Sequence, residues 1–170
     1  PDLNLFKKIY NSGAKQILFT SFAADVHTPI SSLLKLQQED YLFLFESVEK
    51  GSQKGRYSVI GLKPDFIWEC KNGESKVTEN GKRNHNYKFD SKNPLVNLKK
   101  IIKNNKIKIP SILPSISCGL FGYLGYEMIQ YFEKVEMTKT DTLDLPESIF
   151  LRPSLTLVFD NVNDKLFVTK

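Results

Sequence analysis

The chain has 170 residues, enough for one domain with its own core, and its apolar share of 41% is ordinary for a globular protein. No apolar run approaches the ~18–20 residues that span a bilayer, and PDLNLFKKIYNSG at the start lacks the basic-then-apolar pattern of a secretion signal. The net charge of +5 points toward nucleic acid at first sight, but the excess is almost all lysine, with arginine only at Arg56, Arg83 and Arg152, and bidentate readout of bases and phosphates favours arginine.

In chain order, Leu3, Phe6, Ile9 and Tyr10 recur at helical spacing after Asp2, a residue suited to cap. Residues 15–22 (KQILFTSF) are short, apolar and β-prone, which predicts a strand. Thr28-Pro29 opens a second helix, with Thr28 as N-cap, Pro29 at the first position and Ile30, Leu33 and Leu34 on one face. Residues 41–45 (YLFLF) predict a buried strand. Residues 58–62 predict another, ended by Lys63-Pro64. Residues 65–70 and 74–78 flank Asn72-Gly73, the signal of a type I′ hairpin, and Asn80-Gly81 marks a second turn.

Tyr87 to Phe89 is expected as a short edge strand. Asn93-Pro94 repeats the cap-then-proline signature, with a stripe of Leu95, Leu98 and Ile102. The basic run at 99–108 (KKIIKNNKIK) reads as the solvated face and exit of that helix. Residues 116–126 are expected as a glycine-punctuated strand, 127–132 as helical and 134–144 as an exposed loop. Residues 155–159 and 165–169 pair as a closing hairpin across Asp160 to Asp164. Irregularly interleaved helices and strands joined by hairpins predict an α+β fold with a largely antiparallel sheet and flanking helices. Lys170 follows a pairing strand with no polar tail, and no Met begins the chain, so it is expected to be trimmed and to stop inside a larger sheet.

Few residues assemble into local chemistry. Cys70 and Cys118 have no C-x-x-C partner or nearby His and read as small buried hydrophobes in a reducing compartment, which predicts the cytoplasm. Gly119, Gly122 and Gly125 form G-x-x-G-x-x-G, which is neither phosphate-loop pattern, and glycines in a strand more often allow close backbone approach. No nucleophile, base and orienter can be assembled from local spacing, so catalysis by this segment alone is unsupported. The distinctive stretch is FLFESVEKGSQKGRYSVIGLKP, Phe43 to Pro64. An apolar strand ends at Glu46-Ser47, a polar loop with Gly51 and Gly55 follows, and the next strand opens with Arg56-Tyr57-Ser58. A carboxylate, a hydroxyl and a guanidinium at the mouth of an apolar layer suit an aromatic amino acid, ring inside and zwitterionic head at the rim. An ordinary strand–loop–strand connection with surface charges has the same pattern.

That stretch resembles the glutamate-serine … glycine-arginine-tyrosine-serine signature of component I of anthranilate synthase, of the chorismate-utilising enzyme family. Three further segments fit in order: Thr28-Pro29-Ile30 with Leu34-Lys35-Leu36; Asn93-Pro94-Leu95; and CGLFGYLGYEMIQYFEK (118–134) with DLPESIF (144–150). Phe43 and Phe45 stand in place of aliphatics, and Cys118 in place of glycine.

The resemblance implies the N-terminal, regulatory and structural region of a larger, two-layer β-sandwich-like enzyme of tryptophan biosynthesis. The complete family enzyme is a lyase converting chorismate to anthranilate and pyruvate, with Mg²⁺ and with ammonia from a glutamine-amidotransferase partner, component II. Its chorismate and Mg²⁺ residues lie in a C-terminal part outside this chain, so no catalytic or metal residue is carried over. What carries over is a share of the tryptophan feedback site: Ser47, with Phe45 and Glu46 beside it and Arg56 and Tyr57 at the rim. Neither a membrane nor nucleic acid is implied as a partner. The alternatives are the corresponding region of aminodeoxychorismate synthase, from the folate pathway, and a free-standing amino-acid-binding module.

Overall fold

A computed structural model of the chain describes residues 3–48, 54–84, 87–89, 91–135 and 143–170. Its helices are α1 (Leu3–Asn11), α2 (Pro29–Lys35) and α3 (Pro94–Asn104). Its strands are β1 (Phe19–Ala23), β2 (Phe43–Val48), β3 (Lys54–Lys71), β4 (Glu74–Glu79), β5 (Lys82–Arg83), β6 (Phe121–Leu124), β7 (Ser148–Asp160) and β8 (Lys165–Thr169). The strands run in the order β1-β8-β7-β3-β4-β5, with β2 also on β3 and β6 also on β7. The ladders β1–β8, β2–β3, β3–β4, β4–β5, β6–β7 and β7–β8 are antiparallel, so the fold is α+β with an antiparallel sheet and helices. Among the described residues no helix is long and apolar enough to cross a membrane.

The chain forms two compact units. One comprises Pro1–Lys63, Lys106–Cys118 and Ser154–Lys170; the other comprises Pro64–Asn105 and Gly119–Pro153.

In the first unit, Ile60, Leu62, Phe159 and Leu166 are buried together, with Leu33, Leu36, Leu42 and Leu44 packed against them. Helix α2 starts where expected. The Thr28 hydroxyl accepts from Ser31 N at 3.0 Å, and Thr28 N donates to the Ser31 hydroxyl at 3.0 Å, a reciprocal cap that satisfies two end groups. Its apolar face differs from the expected one. Pro29 is buried and Leu33 and Leu36 reach the core, whereas Ile30 and Leu34 are more than half exposed. Positions 29, 33 and 36 share a stripe at i, i+4, i+7, and the buried Pro29 sets that phase.

Strand β1 begins at Phe19, four residues later than expected, because its β8 ladder runs from Phe19–Thr169 to Ala23–Lys165. Strand β2 begins at Phe43, since Tyr41 has φ 55°, outside the extended region. Among the described residues it pairs with β3 only, so Phe45 is 44% exposed and the strand is less buried than its apolar run suggested. The cap expected at Asp2 lies outside the described residues.

In the second unit, Phe66, Trp68 and Cys70 alternate onto one face of β3 and meet Val77, Met128 and Leu95, Leu98 and Ile101 of α3. Asn93 caps α3 by accepting from Leu95 N at 2.9 Å. Ile101 is 2% exposed and Ile102 46%, so the stripe runs 94, 95, 98, 101 and not through Ile102. Lys99, Lys100 and Lys103 occupy the exposed side of the helix, as expected for the basic run. Asn72 (φ 51°) with Gly73 (φ 75°), and Asn80 (φ 48°) with Gly81 (φ 74°), have the paired positive φ of type I′ turns. Tyr87 and Phe89 form no strand; they pack against the core from irregular backbone.

Two expected strands have different bounds, for opposite reasons. Lys63-Pro64 bends the chain, with Lys63 at φ 52°, yet β3 continues through it. The β2 ladder ends at Gly61 and the β4 ladder starts at Phe66, so Pro64 falls where neither requires its missing N–H. Conversely, the strand expected over 116–126 shortens to β6, flanked by 3₁₀ turns at Ser115–Ser117 and Tyr126–Tyr131. A side chain at Gly122 would collide with the Ile149 carbonyl oxygen, and one at Gly125 would lie 2.7 Å from that of Glu147. These two glycines serve close packing against β7, while Gly119 borders open space. Most of the loop expected over 134–144 lies outside the described residues.

Candidate functional site

The signature residues meet where β2 leaves β3. Phe45 pairs with Val59 and Glu46 with Ser58; the next pair is Val48 with Lys54. Ser47 alone therefore faces three residues, Gly55, Arg56 and Tyr57, in a bulge that bends β3. The close approach requires glycine at 55: a Cβ there would overlap the Ser47 side chain and lie 2.7 Å from its carbonyl oxygen. Sequence reasoning placed these residues around one turn, and the fold brings all five to this bulge.

Their environments differ. The Phe43 and Phe45 rings meet in a tilted contact with centroids 5.0 Å apart, an apolar surface open on one side. Glu46 and Ser47 are exposed, and Tyr57 is half-buried. The Ser58 hydroxyl, on a residue only 2% exposed, donates to Glu46 Oε1 at 3.4 Å. Arg56 lies with Cζ 4.9 Å from the Tyr57 ring centroid and donates from Nη2 to Asp160 Oδ2 at 3.2 Å. The hydrogen bond to Asp160 holds the Arg56 guanidinium above its usual range. Burial pushes the Asp160 carboxyl up, but donation from Arg56, the Asn163 amide and the N–H groups of Val162 and Asn163 outweighs that and holds it below 3.8.

Sequence reasoning gave Ser58 no role of its own and missed Asp160 and Asn161. Asp160 is 4% exposed and opens the β7–β8 turn, accepting from Val162 N at 3.1 Å, Asn163 N at 3.2 Å and Asn163 Nδ2 at 2.8 Å. Asn161 N donates to Arg56 O at 2.8 Å, and its side-chain amide reaches Gly55 O at 2.8 Å and Ser58 Oγ at 3.3 Å. The Asp-Asn-x-Asn-Asp composition signals a turn, but only the fold carries that turn 100 residues back to the bulge.

A second polar cluster lies in the other unit. Glu147 Oε2 accepts from Tyr131 OH at 2.9 Å, Gly73 N at 3.2 Å and Cys70 Sγ at 3.3 Å. Burial pushes the Cys70 thiol up to about 12, and the Glu147 carboxylate adds to the shift. The same two causes, in the same order, push the Tyr131 phenol up. Cys70 is thus a buried, protonated thiol, while Cys118 is half-buried, less enclosed than expected, and the two cysteines form no disulfide.

Hollows open among the described residues. One of about 410 Å³ lies between Ser21–Ala23 and Asn163–Lys165, and one of about 180 Å³ between Tyr87–Phe89 and α3. Neither is lined by Phe45, Glu46, Ser47, Arg56 or Tyr57. Among the described residues no group of three or more His, Cys, Asp or Glu is placed to hold a metal ion, and no chemical step is assigned to one here.

No family model matches the chain. It is 37% identical over 171 residues to anthranilate synthase component 1 of Cereibacter sphaeroides, covering 96% of this chain and 33% of that protein. It is 32% identical to the protein of the same name from Acetivibrio thermocellus, over 85% of this chain and 29% of the relative. For the Synechocystis protein the figures are 31%, 98% and 33%. The crystal structure of anthranilate synthase component I from Streptococcus pneumoniae superposes with a TM-score of 0.51 at 27% identity, over 85% of this chain and 29% of that one. The chain thus spans about a third of the length of the curated relatives it matches. Over that third, the chain belongs to the anthranilate synthase component I family.

Proposed function

We propose that the chain is the N-terminal, regulatory and structural domain of an anthranilate synthase component I and carries one wall of its tryptophan feedback site. The complete protein then acts as a lyase in the cytoplasm, converting chorismate and glutamine-derived ammonia to anthranilate and pyruvate. Ammonia comes from an amidotransferase subunit, component II. Chorismate and Mg²⁺ are handled by the part of the protein outside this chain, so the segment alone makes no anthranilate.

The observation that carries the feedback reading is the bulge itself: Ser47 faces Gly55, Arg56 and Tyr57, with Glu46 and the Phe43–Phe45 surface beside it. An indole buries roughly 150–250 Å², which at about 25 cal/mol per Å² is about 4–6 kcal/mol. Micromolar binding needs about 8 kcal/mol net. The ring is not enough, and charge-assisted contacts to the zwitterionic head must supply the remainder. Glu46 suits the ammonium. Ser47 and the backbone donors around it suit the other polar atoms. The open side of the wall is closed by the rest of the protein, and tryptophan inhibits by preferring a state that binds chorismate poorly, with a coupling of about 1–3 kcal/mol.

The test is an assay of the complete polypeptide with its amidotransferase, with and without tryptophan. Ser47→Leu is expected to remove feedback and keep anthranilate formation. Undiminished inhibition in that variant sinks the feedback site, and a product other than anthranilate sinks the assignment of the reaction.

A further inference from the structure

We infer that Asn161, a residue of the β7–β8 turn, is the positioning residue that sets the effector-contacting groups of the bulge. The inference rests on the feedback reading above and extends it to a part of the chain 114 residues from Ser47 in sequence.

Two routes leave the Asn161 side-chain amide. One N–H meets Gly55 O at 2.8 Å, and Gly55 is the residue whose missing Cβ lets Ser47 sit against the backbone. The other reaches Ser58 Oγ at 3.3 Å, and the Ser58 hydroxyl donates onward to Glu46 Oε1 at 3.4 Å. Ser58 is buried, so its hydroxyl has little water to turn toward, and an amide donor on its oxygen leaves its own hydrogen for Glu46. Among the described residues Glu46 Oε2 has no hydrogen-bond or ion-pair partner. The carboxylate is therefore held by one oxygen and offers the other, the arrangement a primary ammonium needs.

Asn161 is itself fixed twice. Its N–H is bonded to Arg56 O at 2.8 Å, and Asp160 before it ties the turn to Arg56 and to Asn163. A planar amide clamped at its backbone and reaching two acceptors has one orientation. Glu46, by contrast, is exposed and would spread over several rotamers without Ser58, with an entropic cost on binding. Asn161 thus acts through Ser58 on the group that meets the ligand's ammonium, and through Gly55 on the hydroxyl beside it.

The test is calorimetric titration of the complete polypeptide with tryptophan and with indole-3-propionate, which lacks the ammonium. For Asn161→Ala, tryptophan binding is expected to weaken about tenfold while indole-3-propionate binding stays within about twofold, so the ratio of the two affinities falls. Ser58→Ala, which removes only a hydroxyl, is expected to do the same, and the double variant to lose no more than either single one. In a Glu46→Gln background neither substitution should change the ratio further. An unchanged ratio in both single variants, or full additivity with Glu46→Gln, overturns the role of Asn161 and leaves the effector site standing. Absence of tryptophan binding to the unaltered polypeptide overturns the effector site and this inference together.

Discussion

Asp160 shows how one side chain can be worth more than its charge. It is almost fully buried and takes two backbone donors and two side-chain donors, so protonation would leave several donors poorly satisfied. Its folded-state carboxyl lies below 3.8, so its stabilising contribution is complete above that pH and disappears as pH falls through the lowered value. Asp160→Ala is expected to cost about 2 kcal/mol near neutrality, the scale of hydrogen bonds to a charged acceptor. Urea denaturation from pH 7 downward should show the gap between wild type and variant narrowing once the pH passes below 3.8. A gap that stays constant to the most acid condition would rule out the carboxylate as its source. Gly55 makes the complementary point: a residue with no side chain decides where Ser47 sits, because any Cβ would occupy the same space.

At the scale of elements, the capping residues of α2 and α3 are legible because capping is local: Thr28 and Asn93 each bond a backbone N–H within three residues. The phase of a short amphipathic helix is less legible, because Ile101 and Ile102 both fit a helical stripe and only packing chooses between them. Ile101→Ala is expected to cost about 2–5 kcal/mol, as for a buried aliphatic, and Ile102→Ala less than about 1 kcal/mol. Equal costs in chemical denaturation would return Ile102 to the core. The length of β3 belongs to the same scale. Lys63-Pro64 carries every sequence mark of a strand end, yet neither the β2 nor the β4 ladder asks for the proline's missing donor at that point.

In the whole molecule each unit buries its own core, Ile60–Phe159–Leu166 in one and Phe66–Trp68–Cys70 against α3 in the other. A thiol in the second core is chemically silent: pushed up to about 12 by burial and donating its S–H to Glu147, Cys70 has almost no thiolate at pH 8. Iodoacetamide followed by peptide mass spectrometry should find Cys70 unmodified in the native protein and modified after denaturation. Native labelling as fast as in urea would contradict its burial. By itself the sequence determined the α+β class, the two Asn-Gly hairpins, the two capped helices and the family, because each depends on neighbours in the chain or on an ordered set of short motifs. It also determined that Phe45, Glu46, Ser47, Arg56 and Tyr57 meet around one turn, since a strand–loop–strand connection brings its own ends together. Only the tertiary structure decided that Ser58, Asp160 and Asn161 belong with them, and that Glu147 gathers Cys70, Gly73 and Tyr131. Those partners lie from 12 to more than 100 residues apart, and antiparallel pairing and packing, which no local pattern encodes, fix which of them touch.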